Sequence, residues 1–557
     1  MKKIKYIVIA VVSVVLLATG CIQEIDPQTS TVTITQAANA PGAYDNFVDA
    51  ITGQLTGQFT YNGNSSSTPW DFGYPSFYLQ RDVMGQDMVC ETAGSEWYGT
   101  WYGCGTGLGP QYAVCQVPWT YYYKWIKNCN NVINMYLAAP TEDHEVGAGI
   151  AYAMRAMFYM DLARMFCPST YAVDKNAITV PIITEETQLD DLTSNPRATN
   201  EVMWAQILSD LDKAEGFLNG YNRPDKYVPD QSVVYGLKAR AYLTMEDWAN
   251  AQKYAKMAQS GYTMMSRDQY LSMTDGFNTP NSSWMFAMTY KPDDPNIIYN
   301  DADSCWGSQM IIEVSESGCG YSSNYVGPKR IDYHLFSTIP DSDFRKMCWV
   351  DWDIDDLGSK DAKIEALSAY STSPAGLYNT GTTVSGSGIL GGMPVKFRPK
   401  GGEHSDQYAA FTVAVPIMRV EEMMLIEAEA AGMQNEANGV ALLTAFAQTR
   451  DPQFNYADAT YDNYGGKQTK FQNACWWQRR VELWGEGFAT YDIKRLRKGV
   501  IRSYPGTNHP ESYRWNTTEP PQWMTLCIVQ TETNYNSACE QNPTPIKPSA
   551  DSPEYTW

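Results

Sequence analysis

Basic charge is scarce in this 557-residue chain: 41 Lys and Arg stand against 62 Asp and Glu, a formal net charge of −21. Nucleic acid and anionic membrane surfaces are therefore poor partners, since either would be approached against like charge. Histidine is scarcer still, at four (His144, His334, His404 and His509), and these are scattered. With no Cys-x-x-Cys either, the makings of a zinc site are missing. There is no Gly-x-Ser-x-Gly, no phosphate-cradling glycine loop and no His-x-x-x-His, so hydrolase, nucleotide and metalloenzyme chemistry finds no foothold. After the first twenty residues no run reaches about 18 apolar residues, the length a spanning helix needs.

Hydrophobic residues make up 44% of the chain and charged ones 18%, a globular balance long enough for a large core. Aromatics reach 13%, with 17 Trp and 38 Tyr, more than a core usually requires. The start is a targeting device: "MKKIKY" is basic, "IVIAVVSVVLLA" apolar, and "TGC" a small-residue exit. "LATGC" resembles the lipobox of bacterial lipoproteins, with Leu17 one position further from Cys21 than usual. That resemblance implies acylation of Cys21 and, with the acidic "QEID" behind it, display on the outer face of the outer membrane. Ordinary secretion, with Cys21 in a disulfide, is the alternative. Of the cysteines after Cys21, Cys305/Cys319 and Cys527/Cys539 are near enough in sequence to pair, though spacing alone does not settle connectivity.

Helical periodicity marks 117–136, then Ile150, Ala153, Met154, Met157, Phe158, Leu162, Met165 and Phe166. A third helix follows Thr199 as N-cap, with Trp204, Ile207, Leu208, Leu211, Ala214 and Leu218 on one stripe. Residues 232–259 read as two helices broken near Glu246–Asp247, and helix returns at 416–448 and 469–486. "AMRAMFYM" and "LKARAYLTM" echo one another, each placing Arg-Ala before an aromatic. The expected fold is mainly α: tetratricopeptide-like helix pairs in a solenoid-like scaffold, packed with a loop-rich region of short strands at 271–415. The organisation is leader 1–20, tether 21–40, a helical region 41–270, and a C-terminal region 271–557. Its last part, 501–557, is again loop-rich.

Four segments in order resemble the SusD/RagB family of outer-membrane nutrient-binding lipoproteins. They are "PWTYYYKWIKNCNNVIN", "AYAMRAMFYMDLARMFCPSTYAVDKNAITVPIITEET", "NPRATNEVMWAQILSDLDKAEGFL", and "VPIMRVEEMMLIEAEAAG" paired with "RRVELWGEGFATYDIKRLRKG". The resemblance covers about residues 115–500. It implies an oligosaccharide-binding protein, without chemistry of its own, that hands ligand to a SusC-type TonB-dependent barrel. A peptide-binding relative is the runner-up; a glycoside hydrolase with two carboxylates is the rival from the enzyme class. One departure stands out: the family's arginine two residues after Glu-Gly is Ala489 here. Around it, Arg479, Arg480, Glu482, Glu486, Asp492 and Arg495 read as a buried ion-pair network. Glu482 and Glu486 stand i,i+4 on one helix and need a facing arginine to offset their repulsion.

The most informative stretch for binding is "GSEWYGTWYGCGTGLG", residues 94–109: too glycine-rich for a helix interior and too aromatic for an idle linker. Sugar rings offer C–H faces to indole and phenol faces, and their hydroxyls need polar partners at the rim. The expected glycan-binding residues are therefore Trp97, Tyr98 and Trp101, with Arg81 and Asp82 as polar rim. Tyr290, Trp306 and Tyr325 join them by the resemblance, which draws sugar-binding aromatics from the irregular central region. No cofactor is expected. "DWDIDDLG" partly imitates a calcium loop through Asp351, Asp353 and Asp355, but its sixth position is Asp356 and its twelfth Ala362. A solvated acidic loop is the default reading there.

Overall fold

The computed structural model describes residues 34–57, 70–91 and 97–557. The leader and Cys21 lie outside them. Eight helices form the scaffold: α1 (Ala113–Ala138), α2 (Glu142–Phe166), α3 (Asn200–Phe217), α4 (Gln231–Met245), α5 (Trp248–Ala258), α6 (Val420–Gln434), α7 (Glu436–Gln448) and α8 (Lys470–Glu482). Each packs on the next as far as α5, α5 then packs on α6, and α6 on both α7 and α8. The architecture is mainly α, a row of antiparallel helix pairs. Among the described residues, no helix is long and apolar enough to cross a membrane.

The helix ends follow from their capping residues. Thr199 accepts the N–H of Val202 and opens α3, as its position before an apolar stripe predicts. Glu246 takes the left-handed conformation at φ 58° to close α4, and Asp247 accepts from Asn250 N–H to open α5. α2 is buried almost all round from Gly147 to Phe166, which marks it as the central helix of the scaffold. Its first turn carries Glu142, Asp143 and Glu145, the charge that a helix N-terminus favours.

The echoed Arg-Ala motifs have one structural purpose. Arg155 on α2 makes two 2.8 Å hydrogen bonds to the Asp210 carboxylate on α3. Arg240 on α4 grips Glu422 on α6 in the same two-pronged way, at 2.8 and 2.6 Å. Each arginine thus bolts one helix to its neighbour by a paired, desolvated contact that a lysine could not reproduce. Where α6 and α7 cross, a Cβ on Gly439 would stand 2.3 Å from the Gly432 backbone. Only glycine permits that approach.

Two antiparallel strand pairs join distant parts of the chain: β1 (Met88–Cys90), β2 (Trp284–Thr289), β3 (Lys329–Ile331) and β4 (Ala414–Arg419), with β1 on β3 and β2 on β4. β4 corrects the expectation of helix from 416. Its six residues are all buried and pair with β2, and helix starts only at Val420. Since α5 contacts α6 directly, the irregular region between them is a long insertion against the scaffold. One apolar core runs through both, from Ala38 to Cys539. The suggested disulfides are not formed: Cys305, Cys319, Cys527 and Cys539 are free thiols, like the other seven cysteines after Cys21. Cys305 Sγ points at Ala302 O and Cys527 Sγ at Pro543 O, each held by a backbone carbonyl instead.

Candidate functional site

Six of the eight residues expected to bind ligand are buried, and each has a structural task. From Trp97 onward the glycine-rich stretch is not an open loop. Gly99–Gly103 forms a short helix, ended by Cys104 at φ 52°, and this turns Tyr98, Trp101 and Tyr102 fully inward. Trp101 lies against Tyr98 and the edge of Trp70, and Tyr98 hydroxyl meets Ser76 Oγ at 2.9 Å. Arg81 donates to Tyr491 hydroxyl at 2.7 Å, lies 3.5 Å from Asp161, and stacks over the Tyr491 ring. Asp82 accepts the N–H groups of Gly487 and Ala489 at 2.9 and 3.1 Å. Tyr290 donates to Phe72 O at 2.9 Å, and Trp306 packs edge-on against Tyr78 and Phe397. None of these six offers a ring face or a polar rim to a ligand.

Trp97 and Tyr325 remain at the surface, and both border the turn that starts at Tyr321. Trp97 is half-buried, its ring 4.9 Å from that of Tyr321. Tyr321–Tyr325 is a single wide helical turn whose last residue, Tyr325, is 51% exposed. It is anchored to the short helix Trp306–Met310: Ser308 Oγ accepts the Tyr321 N–H at 2.7 Å, and Ser322 Oγ donates to Gln309 O at 2.6 Å. Gly320, at φ 97°, enters the turn with no room for a side chain, because a Cβ would meet Ser323 Oγ and the Phe411 ring within 3 Å.

Four further residues lie on or against the neighbouring turn, and sequence reasoning missed them. Tyr299 is 61% exposed and Tyr408 is 42% exposed. Tyr408 hydroxyl donates to Asp301 Oδ1 at 3.3 Å. Asp303 Oδ1 accepts the N–H of Gly320 at 3.3 Å, and burial, with Asp301 nearby, pushes its carboxyl up to about 6. Asp301 and Ala302 are consecutive non-glycine residues in the left-handed region, at φ 54° and 60°. Such conformations cost free energy, roughly 1–3 kcal/mol each, and concentrate at functional sites. The signal available in the sequence was "IIYNDADS", an acidic turn next to a tyrosine, but nothing in its spacing says the tyrosine faces out.

The remaining charged clusters serve the fold. Glu486 lies beyond the end of α8, not on it with Glu482, and Arg419 reaches both carboxylates, at 2.8 and 3.1 Å. Arginine and lysine neighbours hold both groups well below the usual carboxylate range despite their burial. Without the usual arginine at 489 the network closes locally. Arg479 takes Asp492 at 2.7 Å, Arg480 takes Asp87 at 2.6 Å, and a cavity of about 30 Å³ is left beside Ala489. Asp82, lacking a direct cation partner there, is pushed up to about 7 by burial. The calcium candidate is likewise committed elsewhere: Asp355 accepts the N–H of Leu390 and Gly391, while Asp351 accepts the N–H of Asp353. Among the described residues, no group of acids, histidines or cysteines is arranged to hold a metal ion.

Comparison with known proteins converges on one family. Residues 106–243 match the family model described as "Starch-binding associating with outer membrane", and residues 339–544 match that of the SusD family. The chain is similar in structure to a SusD-like carbohydrate binding protein from Bacteroides vulgatus, with TM-score 0.67 and 21% identity over 89% of this chain and 97% of that one. It is similar to a SusD superfamily protein from Bacteroides thetaiotaomicron, with TM-score 0.66 and 19% identity over 90% and 99%. A laminarin binding SusD-like protein aligns with TM-score 0.57 and 17% identity over 90% and 98%. No curated protein matches the sequence.

Proposed function

This chain belongs to the SusD/RagB family, and from that premise we propose that it is a surface lipoprotein of the outer membrane, anchored through Cys21, that captures oligosaccharides and passes them to a SusC-type TonB-dependent transporter. The observation that carries the ligand class is the set of exposed rings at the Asp301–Asp303 turn: Tyr408 bonded to Asp301, Tyr325 near both carboxylates, and Tyr299 two residues before Asp301, with half-buried Trp97 against Tyr321 at the start of Tyr325's turn. Large apolar faces left in water next to unspent carboxylates suit a ligand with alternating C–H faces and hydroxyl edges. The names of two structural relatives, one carbohydrate binding and one laminarin binding, support the same class. The hydrolase reading loses its carboxylate pair, because Glu482 and Glu486 are buried among arginines and a lysine.

Binding tests the proposal directly. Laminarin and starch-derived oligosaccharides, titrated calorimetrically into the detergent-solubilised chain, should give a measurable Kd for at least one. Stacking on an aromatic face is worth about 0.5–1.5 kcal/mol. Tyr299→Ala combined with Tyr325→Ala should therefore weaken that ligand by about tenfold, the equivalent of about 1.4 kcal/mol. Because both rings are more than half exposed, the melting temperature should hardly move. Unchanged affinity in the double variant would show that these rings are not the platform.

A further inference from the structure

Asp301 and Asp303 differ from the acidic residues that hold this chain's helices together. Many buried carboxylates there are matched by arginine: Asp210 by Arg155, Glu422 by Arg240, Glu429 by Arg495, Glu313 by Arg398. Arginine is thus largely spent inside the molecule. Asp301 is exposed and Asp303 half-buried, and among the described residues neither takes part in an ion pair. Their hydrogen-bond partners are neutral: the Tyr408 hydroxyl for Asp301 and the Gly320 N–H for Asp303. Asp301 and Asp303 both act on Cys319, the half-buried thiol beside Tyr325, and raise it together with burial. The exposed rings therefore share this turn with two carboxylates that no ion pair neutralises among the described residues.

We propose that this site takes neutral glycans and rejects uronate- or sulfate-bearing ones, with Asp301 and Asp303 as the discriminating residues. The inference rests on the reading of the ring cluster as a glycan platform. A neutral sugar turns its hydroxyls toward carboxylates as hydrogen-bond donors, and a bond to a charged acceptor is stronger than one to a neutral acceptor. A uronate or sulfate at the same place brings acceptors and negative charge against two carboxylates, with no cation to bridge them. Specificity here comes from repulsion as much as from contact. Because the site is open to solvent, added salt should screen that repulsion.

The experiment compares one glucan in two charge states, so that linkage and length stay constant. Laminarin and soluble starch are each used as such and after oxidation of their C6 hydroxyls to carboxylates, with the full chain in detergent at low and high salt. The expected result is retention of a neutral polymer and at least about tenfold weaker binding of its oxidised form, with the gap narrowing in salt. Asp301→Asn with Asp303→Asn should narrow the same gap at low salt. Asparagine tolerates the left-handed backbone at 301, so the variant keeps the turn, and an unchanged melting temperature checks this. Equal binding of neutral and oxidised glucan, or a gap that survives the double asparagine change, overturns the charge selection alone. Preferred binding of the oxidised form overturns it as well. If neither charge state of either glucan is bound, the glycan reading itself falls and this inference goes with it.

Discussion

Replacing Glu482 with alanine should collapse the fold, lowering stability by about 3–5 kcal/mol, the cost of stranding a buried charge partner. The Glu482 carboxylate receives Arg345 at 3.2 Å, Arg419 at 3.1 Å and Arg450 at 3.2 Å, and its backbone oxygen receives Lys396 at 2.9 Å. Those four cations face four carboxylates in all, Glu482, Glu486, Glu421 and Asp343, so the cluster is balanced and nearly dry. Removing one anion leaves an uncompensated guanidinium with no route to water. Urea denaturation of the variant against the wild type reads the loss, and a midpoint within error of the wild type would refute the account. The same cluster sets the response to acid. Glu482, Glu486, Asp161 and Asp492 are all held below their ordinary values by neighbouring cations, although burial opposes this. Groups lowered on folding contribute stability that is fully present above about pH 4.5 and is lost as pH falls through their native values. The midpoint should therefore drop steeply on acidification below about pH 4, whereas Glu482→Gln, if it folds, should show a shallower acid slope.

Trp101 and Trp97, four residues apart, should respond oppositely to alanine. Trp101 is fully buried against Tyr98 and Trp70, and loss of a buried indole costs about 3–5 kcal/mol through lost transfer energy and the cavity left behind. Its variant should melt far below the wild type, and any loss of glycan binding should track the unfolded fraction. Trp97 is half-buried against Tyr321, where the turn ending at Tyr325 begins. Its variant should keep its melting temperature within a few degrees and lose affinity by a factor of up to about ten. Thermal melts and titrations on the two single variants separate the roles. A stable Trp101→Ala protein would mean that the short helix Gly99–Gly103 opens in solution, contrary to the burial of Trp101.

The scaffold was legible in the sequence because helix formation there is a local pattern. Apolar stripes at helical spacing, Thr199 as cap and the break at Glu246–Asp247 each report on neighbours within a turn or two. The ordered family segments added the rest of the helical architecture. Even the arginine facing Glu482 and Glu486 was expected from charge balance, though Arg419 reaches them from a strand pairing that no local pattern announces.

The binding face was not legible in this way. Aromatic content says that rings are in excess over a core's needs, but not which rings are left outside. That choice is made by the short helix at Gly99–Gly103, which turns Trp101 and Tyr98 inward, and by the turn at Asp301–Ala302, next to which Tyr299 stands in water. Both depend on contacts between residues more than a hundred positions apart, such as Tyr102 hydroxyl with His509 Nδ1 at 2.6 Å and Tyr408 with Asp301. Sequence by itself determined the helical scaffold, the family and the net negative charge. Tertiary structure alone decided which tyrosines meet solvent and which carboxylates lack an arginine, because burial and pairing belong to the packed whole and not to any stretch of chain.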